Sequence, residues 1–71
     1  MMIDANDDVE FGNVEVLESD GSMLWCRIGG RVVAVPQLRF LAGTQIQRMG
    51  DRGKLVLPRE VAENLGLVPR V

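Results

Sequence analysis

The side chains that could carry covalent chemistry are few. Cys26 is the only cysteine, and the hydroxyl groups are those of Ser19, Ser22 and Thr44. A hydroxyl or thiol becomes a nucleophile when a neighbouring base takes its proton, and the chain has no histidine to serve as that base. Cys26 alternates with Leu24 and Ile28 on the aliphatic side of a β-rich run, the setting of a small buried hydrophobe. Carboxylates are plentiful but crowd the N-terminal segment, where a mobile chain cannot hold a pair with tuned pKa values. These residues predict no enzyme.

Metal chemistry fares no better. One thiolate without imidazole cannot hold zinc. Asp4, Asn6, Asp8 and Glu15 fall at the first, third, fifth and twelfth positions of a calcium loop. The sharp bend of that loop needs glycine where Val9 stands, and too few residues precede it for an entering helix. No metal site and no cofactor are expected.

Binding chemistry is better represented. Arg48, Arg52 and Lys54 cluster around residues 50–53, with Arg59 close behind. A loop of this kind can present cations to phosphates, which supply affinity without reading sequence. Trp25, flanked by Arg27, could be a stacking platform for single-stranded nucleic acid. Each feature has a structural reading beside the functional one. The basic residues could form a solvated turn, and Trp25 could serve a core that contains only two other aromatics, Phe11 and Phe40.

Charge is unevenly spread. Residues 1–20 hold seven acids and no base, a net of −7, whereas residues 21–71 hold eight bases against three acids, a net of +5. Two arrangements fit: an acidic tail attached to an anion-binding body, or an acidic first strand paired with basic neighbours. The acidic N-terminus does not resemble a signal peptide, and no apolar run approaches the roughly 20 residues of a membrane helix. A cytoplasmic protein with no membrane partner is expected, and the single thiol suits a reducing compartment.

The elements that must position these residues fit one small domain. With 71 residues the core is thin and self-association into a homodimer is one way to enlarge it. Residues 1–10 read as a flexible acidic tail and residues 11–71 as a single β-barrel-like domain. Val14 and Val16 alternate with Glu15 in a first strand, and residues 19–22 are a turn cluster. Two β-rich runs, residues 23–28 and 31–35, flank Gly29-Gly30, which predicts a hairpin with a primed turn. Pro36 ends the second arm. Residues 36–41 then form a turn or single helical turn in which Leu38, Phe40 and Leu41 plug the core.

A fourth strand is expected over residues 44–49, a hairpin loop over 50–53 and a fifth strand over 54–57. Pro58 suits the first helical position, and Val61, Ala62 and Leu65 make one apolar stripe closed by Gly66 and Leu67. The fold class is mainly β, a β-rich α+β protein. A five-stranded SH3-like or OB-like barrel with one short C-terminal helix would cover the apolar faces. An intertwined dimer of hairpins is the other solution.

Residues 52–67 (RGKLVLPREVAENLGL) resemble the opening motif of the AbrB/MazE-type swapped-hairpin family. There a Gly-basic-apolar-Val-apolar-Pro run leads into a short helix ending in Leu-Gly-Leu. The resemblance implies a dimeric DNA-binding transcription factor or antitoxin with Arg48, Arg52 and Lys54 facing DNA. In that family two further strands follow the helix, and here the hairpin around Gly29-Gly30 would have to supply them in permuted order. The whole chain is also similar in layout to short bacterial and phage proteins with a hairpin ending in Val-Pro and a later Gly-Asp-x-Gly-x-Leu-Val, a resemblance that implies a compact non-enzymatic barrel. The function expected is a nucleic-acid-binding or transcription-regulatory module. The alternative is a protein-interaction module of bacterial or phage origin, in which the acidic tail or exposed strand edges engage the partner.

Overall fold

The computed structural model describes residues 8–69. Four strands form one antiparallel sheet: β1 (Asp8–Ser19), β2 (Met23–Ile28), β3 (Arg31–Pro36) and β4 (Arg52–Pro58), in spatial order β3-β2-β1-β4. A 3-10 turn (Gln37–Arg39) follows β3, and one helix, α1 (Arg59–Asn64), follows β4. The protein is thus mainly β with one short helix, and the sheet is open.

The β2–β3 hairpin follows from its turn. Gly29 and Gly30 both adopt positive φ, 57° and 86°, so a two-residue turn joins Ile28 to Arg31 with the twist of the strands it connects. Leu24, Cys26 and Ile28 line the inner face of β2, as their alternation predicts. They meet Val14 and Val16 of β1, Val35 of β3 and Leu55 and Leu57 of β4 in one buried cluster. Ile46 and Val61 complete it, with Phe11, Val33, Phe40, Leu65 and Leu67 at its margin.

β1 begins earlier than the sequence suggests. Asp8, Val9 and Glu10 pair with Pro58, Leu57 and Val56, so they belong to a strand and not to a tail. The remainder of the expected tail lies outside the described residues. The register of β1 shifts twice, between Phe11 and Val14 and between Val16 and Glu18. The first shift is at Asn13, which adopts a positive φ of 54°. Each bulge inserts a residue and reverses the alternation. Phe11 and Val14, three residues apart, therefore both reach the core cluster.

The expected strand over residues 44–49 forms no ladder. Residues 41–45 instead run along the outer side of β4 with a hybrid set of bonds. The Leu41 and Gln45 N–H groups donate to the Val56 and Lys54 carbonyls, at 3.0 and 2.8 Å. The return bonds come from side chains: the Val56 N–H donates to Thr44 Oγ1 (3.0 Å) and the Lys54 N–H to Gln45 Oε1 (2.9 Å). The edge is satisfied, but by two side-chain oxygens standing in for carbonyls. A closed five-stranded barrel is consequently not what these residues build.

Two further expectations change. Residues 48–51, not 50–53, make the turn before β4, and Arg52 and Gly53 are already strand. Leu38 does not plug the core; it is 94% exposed, while Phe40 packs inward. The 3-10 turn rotates Leu38 away from the sheet and brings Phe40 back to it.

The helix is closed as its sequence predicts. Pro58 stands at the N-cap, one position before the first helical residue. Val61 and Ala62 are buried. Gly66, at φ 76°, lets its own N–H reach the Glu63 carbonyl and the Leu67 N–H reach Ala62, the paired bonds of a Schellman cap.

Candidate functional site

Nucleic-acid candidates gather on the outer face of the sheet. Glu15 of β1 stands in register with Arg27 of β2 on one side and Arg52 of β4 on the other. Its Oε1 lies 3.6 Å from Arg27 and 3.5 Å from Arg52. Lys54 faces Glu10 at 4.0 Å. Trp25, half-buried, is flanked in register by Glu18 and Ala34. Four of the six sequence candidates, Trp25, Arg27, Arg52 and Lys54, therefore share a face. Carboxylates of β1 alternate with the cations across it. Two acids of the N-terminal half, Glu10 and Glu15, thus pair with basic neighbours on β2 and β4.

Arg48 lies elsewhere, exposed on the turn that leads into β4. Asp51 holds that turn, its Oδ2 accepting the Gln47 and Arg48 N–H groups at 2.8 and 3.0 Å. These two bonds, the first above all, hold its carboxyl below the usual carboxylate range. The turn is tied to β1 by Val16 N–H to Asp51 and Gly50 N–H to Val16, both 2.9 Å. Arg59 opens α1, past the end of β4. The structure does not join Arg48 or Arg59 to the outer-face row by any sheet pairing.

Cys26 is fully buried, and desolvation pushes its thiol up to about 11. No group of three metal-ligating side chains occurs among the described residues, and none of their helices is long and apolar enough to cross a membrane.

Exposed strand edges were expected without a place in the sheet, and the strand order puts the free one at β3. In the hairpin closed by Ile28 and Arg31, alternate pairs exchange both main-chain bonds. Arg31, Val33 and Val35 face β2 in this way, which turns the N–H and C=O of Val32 and Ala34 outward. β3 is the last strand on its side, and no hydrogen bond from the described residues reaches those outward groups. Val32 is 56% exposed. The side chains of Val32, Ala34 and Pro36 share the outer face with Trp25 and Met23 of β2. The outer face is thus divided, with charged pairs over β1 and β4 and an apolar strip beside the bare edge. The signal in the sequence was an apolar edge strand without a following partner, legible only once strand order is known.

The chain matches no protein-family model, no curated protein and no solved structure.

Proposed function

We propose that this protein is a small non-enzymatic protein-interaction module that binds an extended segment of another polypeptide along β3. Support comes from one contrast. The Lys54 and Val56 main chain, on one outer strand, is bonded by residues 41–45; the Val32 and Ala34 main chain, on the other, is not. A strand laid against β3 would gain up to four main-chain hydrogen bonds, with the apolar strip of Val32, Ala34 and Trp25 beside them. Pro36 has no N–H and ends the ladder, so the docked segment is short.

A second reading, a nucleic-acid surface of the kind the AbrB-like motif implies, is supported by Trp25, Arg27, Arg52 and Lys54 sharing the outer face. Glu10 and Glu15 sit among these cations and would repel phosphates. Binding of duplex or single strands in a low-salt gel-shift titration, abolished by Arg48→Ala with Arg52→Ala, would favour it over strand addition.

The test of strand addition is a random-peptide display selection against the immobilised protein, repeated with Ala34→Pro. That substitution removes one outward N–H and no bond to β2. Selected peptides should bind the substituted protein at least about tenfold more weakly, the loss of a main-chain hydrogen bond and of close approach. Peptides indifferent to it would contradict the reading.

A further inference from the structure

Resting on that reading, we infer that the segment taken by β3 is acidic at its ends and apolar at its centre. Residues 21–50, which include β2, β3 and the 3-10 turn, contain no Asp or Glu and carry Arg27, Arg31, Arg39 and Arg48. Three of these arginines surround the edge. Arg31 begins β3, Arg39 follows it by three residues, and Arg27 stands opposite Val32 on β2.

Their charges are weakly matched. Arg31 donates to the Gly66 carbonyl at 2.6 Å and pairs with no carboxylate among the described residues. Arg39 meets Glu60 at 3.4 Å with Arg39 about half and Glu60 largely in solvent, and Arg27 shares Glu15 with Arg52. Exposed pairs of this kind contribute little and exchange readily for an incoming carboxylate.

Between the charged ends the edge is apolar. Val32 and Ala34 on the outer face and Val33 on the inner would flank the centre of an added strand. A second copy of this chain offers the same apolar centre but brings its own Arg27, Arg31 and Arg39 to the junction. Like charges gathered along paired strands are unfavourable. An acidic segment from a different polypeptide fits where a copy is repelled.

Three blocked peptides test this: Glu-Glu-Val-Thr-Val-Glu-Glu, the same peptide with lysine for each glutamate, and the acidic peptide with proline for threonine. Each is titrated into isotope-labelled full-length protein, reading amide shifts and exchange at Val32 and Ala34 together with the emission of Trp25. The acidic peptide should protect both amides and perturb Trp25, the only tryptophan, one strand in from the edge. The lysine peptide should bind at least about tenfold more weakly. Arg27→Gln with Arg39→Gln should narrow that difference, with the unfolding midpoint confirming an intact fold. Equal binding of acidic and basic peptides overturns the acidic preference and leaves strand addition standing. Undiminished binding of the proline peptide, or no change at Val32 and Ala34, overturns strand addition itself. Protection that rises with protein concentration in the absence of peptide gives the edge to a second copy and overturns the inference.

Discussion

Gln45 gives Lys54 both halves of a strand pairing, its main-chain N–H to the Lys54 carbonyl at 2.8 Å and its side-chain oxygen to the Lys54 N–H at 2.9 Å. Thr44 does the same for Val56 through one hydroxyl, which accepts from its N–H at 3.0 Å and lies 3.3 Å from its carbonyl. Gly53 is held close beside this arrangement, since a Cβ there would stand 3.1 Å from the Gln45 side chain. One edge of the sheet is thereby closed without a fifth strand.

Thr44→Val keeps the shape of the side chain and removes the acceptor. The buried Val56 would retain a main-chain N–H without a partner, which costs about 1–3 kcal/mol. Chemical denaturation should show a lower midpoint with an unchanged slope. Gln45→Ala should cost less, because its bond to Lys54 is exposed.

Glu15→Gln leaves the register intact and releases Arg27 and Arg52 from a shared carboxylate. Because both arginines are mostly exposed, stability should change by less than about 1 kcal/mol in a denaturant titration. The same variant separates the two functional readings. A nucleic-acid surface would bind oligonucleotides more tightly once Glu15 is neutral, whereas the β3 edge would bind the acidic peptide somewhat more tightly through the released Arg27 and would bind no oligonucleotide.

Acid should unfasten the turn before β4. Asp51 accepts from Gln47 and Arg48, and Asp20 from Met23 and Ser22, and in each case these bonds hold the carboxyl below its ordinary value. A folded pKa below the unfolded one stabilises above the ordinary carboxylate pKa of about 4 and is lost as pH falls through the lowered value. Asp51→Asn should therefore lower the neutral plateau of a stability-against-pH curve, change its acid end little and so flatten the acid limb.

Much of this fold was legible in the residues. Gly29-Gly30 demanded a primed turn, and Leu24, Cys26 and Ile28 announced the inner face of β2. Gly66 and Leu67 marked the helix cap. The failures have physical causes. The bulge between Phe11 and Val14 reverses the alternation of β1, so Val9 and Phe11 fall out of phase with Val14 and Val16, and the strand's start was hidden. Thr44 and Gln45 have strand-like composition, and nothing local shows that their side chains, rather than their carbonyls, complete the edge. The outer-face cations were found as residues, but their partner Glu15 follows from strand order, a property of long-range pairing that no local pattern carries. The bare edge could not be placed on β3 for the same reason.

Cys26 offers a check on the core. Burial raises its thiol to about 11, so it stays neutral and shielded at ordinary pH. For a thiol raised in this way, the stabilisation is present below its unfolded pKa of about 8.5 and is lost as pH rises through the folded value. A thiol reagent should leave the native protein unlabelled near neutral pH and modify it fully in denaturant. Rapid labelling under native conditions would mean that β2 does not present Cys26 inward.

The most direct measurement is residue-resolved amide hydrogen exchange on the two outer strands, in dilute protein and again with the acidic peptide. In the free protein Lys54 and Val56 should be protected by Gln45 and Thr44, while Val32 and Ala34 exchange rapidly. Saturating peptide should slow Val32 and Ala34 and leave Lys54 and Val56 unchanged. Slow exchange at Val32 and Ala34 in the free dilute protein, or rapid exchange that persists at saturation, would contradict β3 as the edge that takes a partner strand.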